Sequence, residues 1–64
     1  MKVKYDKEVD ILCLIFSNSS IEESDEAKPG IIIDYDKDNN IVSIEILDAS
    51  KRMPKPLTVE YEVV

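Results

Sequence analysis

The sequence predicts a mainly β (α+β) fold: a small antiparallel sheet of four to five strands with one short helix near residues 48–53. Three observations point there. Apolar and polar residues alternate with period two at both ends of the chain, in MKVKYD and LTVEYEV. Three short apolar runs, ILCLIF, IIIDYD and IVSIEIL, are rich in β-branched residues and bounded by polar turns. Helix signals that agree with one another gather only in DASKRM, before a proline.

Residues 1–6 place Val3 and Tyr5 on one side and Lys2 and Lys4 on the other, a strand with one wet face. DKEVD follows as a polar turn. Residues 11–16 are apolar throughout, which suits a strand covered on both faces and hence an internal one. A helix is the alternative, but the run is short and branched. Pairing Tyr5 with Leu12 and Val3 with Leu14 gathers Val3, Tyr5, Leu12, Leu14 and Phe16 on a first face. Ile11, Cys13 and Ile15 take the second. SNSS, residues 17–20, is a loop.

Residues 21–28, IEESDEAK, carry conflicting signals. Ser20 and Glu23 match a capping box, and Pro29-Gly30 would stop a helix. Yet Ile21 and Ala27, the only apolar residues, stand six apart and give a helix no stripe to dock. An extended edge segment is the preferred reading. Residues 31–36 and 41–47 form a hairpin around KDNN, where Asn39 or Asn40 takes the left-handed conformation. Pairing Tyr35 with Val42, Ile33 with Ile44 and Ile31 with Ile46 puts six apolar residues on the first face. A one-residue slip sets Ile33 against Ser43. The second face then holds Ile32, Asp34, Asp36, Ile41, Ser43, Glu45 and Leu47. In 48–53 Asp48 is the expected N-cap, Lys51 and Arg52 suit the C-terminal end, and Pro54 stops the helix. MPKP is a stiff linker. Residues 57–63 read as a last strand, with Leu57, Val59, Tyr61 and Val63 as its apolar stripe. That strand completes its own sheet or pairs with an edge of a second chain. Residues 1–53 thus make one compact domain, and 54–64 a linker and C-terminal strand.

Composition narrows function. The 64 residues include one cysteine and no histidine, with net charge −6. An internal disulfide, a Cys–His zinc site and His-activated nucleophiles are excluded. No apolar run approaches the ~20 residues of a membrane span. No charged segment followed by an apolar one opens the chain, so cytoplasmic residence and no membrane partner are expected. Fourteen acids against eight bases speak against nucleic acid, despite small basic groups at Lys2, Lys4, Lys7 and at Lys51, Arg52, Lys55.

A chain this short buries only about 60% of its unfolded surface and usually adds a staple or a partner. Self-association, with a dimer favoured, is therefore expected, and a basic protein is a further partner suited to the charge. The expected interface is the second face (Ile11, Ile15, Ile32, Ile41) with Leu57, Val59, Tyr61 and Val63. The alternative is a weak cation- or small-ligand-binding module on the acidic hairpin. DYDKDNNIVSIE matches a calcium-loop template at Asp34, Asp36, Asp38 and Glu45. Odd-spaced carboxylates suit a hard cation. Asn39 stands where that template needs Gly, and strands rather than helices flank it. The competing reading is a solvated acidic turn. Cys13, in an apolar run without a neighbouring cation, reads as packing. The serines lack a base, and carboxylate pairs such as Asp34 and Asp36 arise by chance in so acidic a chain. No catalytic residue and no cofactor are expected.

YDKEVDILCLIFS followed by IEESDEAKPGIIIDYDKDNNIVSIEILDASKR resembles the small prokaryotic family known as domain of unknown function 2283, over roughly residues 3–52. PGIIIDYD with IVSIEILDAS carries most of the likeness. The family pattern has Gly in the tight turn and again before IEIL, where this chain has Asn39 and Ser43. It has an aromatic residue at the place of Cys13. Residues 53–64 lie outside it. The resemblance implies a compact, mostly antiparallel β domain with a short helix, and no particular activity. An antitoxin-like or regulatory role fits the size and charge by class alone.

Overall fold

The computed structural model describes residues 1–54 and 58–64. Five antiparallel strands form one sheet: β1 (Lys2–Asp6), β2 (Ile11–Ile15), β3 (Glu23–Lys28), β4 (Ile31–Tyr35) and β5 (Ile41–Leu47). A single helical turn, α1 (Ala49–Arg52), follows. The spatial order is β1-β2-β5-β4-β3. A β1–β2 hairpin and a β3–β4–β5 meander are thus joined along β2 and β5, which makes the apolar run of β2 internal.

The hydrophobic match sets most of the register. Val3 faces Leu14 and Tyr5 faces Leu12. Leu12 and Leu14 in turn face Ile46 and Ile44, which face Ile31 and Ile33. Because cross-strand partners share a face, an apolar band runs from β1 to β4 on the first face. The expected pairing of Tyr35 with Val42 does not form. The register shifts after Asp34, and Tyr35 faces Ile41 instead. Val42 becomes the extra residue of a bulge; it is buried, and its carbonyl accepts N–H bonds from Phe16 and Ser17 at 2.8 and 3.4 Å. Ile41 is thereby taken out of phase with Ile32 and Ser43.

The extended reading of 21–28 holds for Glu23–Lys28, which pairs with β4 as an edge strand; Ile21 lies outside it. A second register shift at Ala27, between Glu26 and Lys28, alters its phase with the β4 isoleucines. The β4–β5 turn closes on Asp36, whose Oδ1 accepts the N–H groups of Asp38 and Asn40, each at 2.9 Å. Asn39 supplies the left-handed residue, φ 65°.

Asp48 occupies the N-cap position, its carbonyl accepting the Lys51 N–H at 3.0 Å, but its side chain caps nothing. It precedes α1 in a left-handed conformation, φ 52°, with no side-chain cap bond. Asp10, in the β1–β2 turn, does that work from 40 residues away. Its Oδ1 accepts the Ser50 N–H at 3.0 Å, its Oδ2 the Ser50 hydroxyl at 2.7 Å, and its carbonyl the Ala49 N–H at 3.1 Å. Tyr5 donates its hydroxyl to the same carboxylate at 2.6 Å. That bond, then desolvation and nearby acids, raises the Tyr5 pKa, because each favours the neutral phenol. At the other end Arg52 donates to the Pro29 carbonyl at 2.5 Å. The turn therefore lies across the end of the sheet, from the β1–β2 turn to the β3–β4 turn, and Ala49 beneath it is fully buried.

Residues 58–64 form no strand in the single chain and stand exposed, Val59 at 68% and Tyr61 at 81%. The expected strand 57–63 is therefore absent from the chain's own sheet over its described part. Leu57, its first residue, lies outside the described residues.

Candidate functional site

Two features of the sheet are candidates for function: a polar network on the second face, which includes Asp34 and Glu45, and the apolar band on the first. The network is a cross-strand row. Ser24, Asp34 and Ser43 face one another on β3, β4 and β5. Ser24 and Ser43 donate their hydroxyls to Asp34 Oδ1 and Oδ2, both at 2.6 Å. Asp34 is only 2% exposed and Ser43 6%. Glu45, two residues along β5 on the same face, lies within hydrogen-bonding reach of Asp34.

The electrostatics of this pair follow from the geometry. Burial alone pushes Asp34 up. The hydrogen bonds from Ser24, Ser43 and Glu45 together outweigh it and hold its carboxyl below the ordinary value. Glu45 moves the other way: its hydrogen bond to Asp34, then burial, then the Asp34 charge favour its neutral form. The two carboxyls therefore titrate as a pair, with Glu45 the one shifted toward its neutral form. Cys13 faces Glu45 across β2 and β5. Burial first, and Glu45 second, push its thiol up, against a smaller pull from Lys4. A thiol so placed is held in its unreactive protonated form.

The four carboxylates of the calcium-loop reading do not converge. Asp34 and Glu45 meet on the second face, while Asp36 is committed to the turn with Asp38 beside it. Among the described residues no group of three or more His, Cys, Asp or Glu side chains is arranged to hold a metal ion. The physical reason is prior commitment: the Asp34 oxygens accept the Ser24 and Ser43 hydroxyls, and Asp36, past the end of β4, has its Oδ1 taken by turn N–H groups, whereas a cation needs such oxygens turned to one centre. A groove of about 320 Å³ beside the turn is lined by Ser19, Ser20, Glu22, Asp36, Lys37 and Asp38. It pairs no hydroxyl with a base. No helix among the described residues is long and apolar enough to cross a membrane.

Of the expected interface residues, Ile11, Ile15 and Ile32 lie half-buried on the second face, interrupted by the Asp34 network. Ile41 is exposed at the start of β5, and Val59, Tyr61 and Val63 are exposed in the tail. The larger apolar surface is the first face. There Leu14, Ile31, Ile33, Ile44 and Ile46 stay only half-buried, and Val3 is exposed. Alternation showed which residues share that face; it did not show that no second layer among the described residues covers it. A four-residue helix is about 6 Å long, against about 19 Å for five strands side by side. Likewise, no local signal in the sequence announced Ser24 and Ser43 as the partners of Asp34. Ser43 is also one of the positions where the chain departs from the glycine of the family pattern.

Neither the curated proteins nor the solved structures contain a match. A family model described as protein of unknown function (DUF2283) matches residues 2–50, the whole of the sheet and the start of α1. The chain belongs to the DUF2283 family.

Proposed function

We propose that this protein is a non-catalytic interaction domain that self-associates, the first face of one sheet packing on that of a second copy. The observation that carries the proposal is the uncovered band from Val3 to Ile33. Only Leu12, Val42 and Ala49 are buried apolar residues among those described, and no large side chain is fully buried. The accessible surface is 5211 Å², against about 4,200 Å² for a folded monomer of this mass. The exposed tail and the open sheet both contribute to the excess. The radius of gyration, 12.5 Å, likewise exceeds the roughly 11 Å of a compact chain this long. A standard interface removes about 800 Å² per partner. Two sheets face to face, with two-fold symmetry, form a sandwich with a shared core. The one cysteine, held as a thiol, fits a reducing compartment, and cytoplasmic residence is part of the proposal.

A basic partner is supported by the β3 edge, where Glu22, Glu23, Asp25 and Glu26 are all exposed. A regulatory, antitoxin-like use of such an edge fits that charge. Sedimentation equilibrium tests the self-association. A dimer is expected for the native chain, and Ile33→Lys, which sets a charge in the band, shifts it to monomer. A native chain that sediments as a monomer throughout the micromolar range overturns the proposal.

A further inference from the structure

Building on that self-association, we propose that residues 58–63 of each protomer add as a sixth strand to the β1 edge of its partner, antiparallel, with Tyr61 opposite Val3. Three observations lead there. The tail keeps a strict two-residue alternation, Val59, Tyr61 and Val63 against Thr58, Glu60 and Glu62, yet joins no ladder of its own chain. The outer side of β1 is a sheet edge, with Val3 and Tyr5 on the apolar first face and Lys2 and Lys4 on the second. Exposed edges of this kind are templates for another strand.

The register follows from chemistry. With Tyr61 opposite Val3, Val59 meets Tyr5 on the first face. Glu62 meets Lys2 and Glu60 meets Lys4 on the second. These four cross-strand pairs are apolar with apolar or acid with base, and Thr58 falls opposite Asp6. The other edge rejects the same strand. On β3, Glu23 and Asp25 share the first face, and Ser24 and Glu26 the second. The tail would set its apolar stripe on carboxylates in one phase, and acid against acid in the other. Antiparallel pairing continues the sense of the whole sheet. The added strand also lengthens the apolar band by Val59, Tyr61 and Val63, so tail exchange and face packing reinforce each other. In the single chain the described tail residues stay unpaired and exposed, off their own β1 edge.

Full-length charge-reversal chains test this by sedimentation at low salt. Lys2→Glu with Lys4→Glu in one chain, or Glu60→Lys with Glu62→Lys in the other, raises the dimer dissociation constant about 10- to 100-fold. Mixing the two variants restores wild-type affinity, because each mixed dimer pairs acid with base at both edges. A tail docked on its own β1 would stay repelled in such a mixture. Variants that dimerise like wild type, or a mixture that recovers nothing, overturn tail exchange while leaving face-to-face association standing. A wild-type chain that is monomeric overturns both.

Discussion

Ser43→Ala is the most informative single change in the sheet. Ser43 and Asp34 are both buried, and the hydroxyl donates to Oδ2 at 2.6 Å. Hydrogen bonds to an ionised partner are worth about 1.5–3 kcal/mol net, and removing one here leaves a buried carboxylate oxygen short of a donor. A loss of about 2 kcal/mol is expected. Unfolding entropy of about 2.1 cal/mol/K per residue gives a chain of this length roughly 0.13 kcal/mol/K, so Tm falls by about 15 °C. The measurement is thermal and urea unfolding at fixed protein concentration, with Asp34→Asn and the double variant completing a cycle. The cycle should show a coupling near 1 kcal/mol or more. The acid limb also shifts. Asp34 is held below its unfolded value, so its contribution is present above that value and lost as pH falls through the folded one. Without Ser43 that loss begins at higher pH. A cost under about 0.5 kcal/mol, the level of surface substitutions, with additive singles, would refute the claim that Asp34 is an ionised, hydroxyl-held anchor.

Glu45→Gln should stabilise the fold at neutral pH and flatten the alkaline side of its stability profile, read by urea unfolding against pH. Glu45 is raised in the fold, so its contribution is complete below its unfolded pKa and lost as pH rises through the folded one; the Gln amide keeps a donor toward Asp34 at every pH. Asp10→Ala removes the cap of α1 and the Tyr5 partner together, and a cost of about 2 kcal/mol is expected from denaturant unfolding. Asp48→Ala, which removes no side-chain cap bond, should cost well under half of that. Gly30→Ala meets a backbone at φ +80° and the Arg52 guanidinium 2.8 Å from the new methyl. It should cost about 1–2 kcal/mol, and less in an Arg52→Ala background, where only the backbone strain remains.

Legibility in the sequence followed the range of the interactions. The β1–β2 and β2–β5 rows rest on apolar matching with a period of two, and local alternation carries it; so does the placement of Asp34 and Glu45 on one face. The bulge at Val42 was hidden because its cause is tertiary: the Val42 carbonyl serves Phe16 and Ser17, on a strand that only the folded topology brings near. The source of the capping carboxylate was hidden for the same reason. Asp48 has the right residue type at the right place, but a left-handed backbone, and the β1–β2 turn delivers Asp10 to the exposed N–H groups. Ser24 became visible as an Asp34 partner only once β3 had a register. The last segment shows the limit most plainly. Its alternation reads as a strand, and a strand requires an edge that the single chain does not bring to it.

The shared apolar face is tested most directly by the melting temperature of the native chain over a hundredfold range of protein concentration. A fold completed by a second copy melts higher as concentration rises, because mass action stabilises the associated state. A Tm that stays fixed across that range, with full cooperativity, would contradict a core shared between two chains.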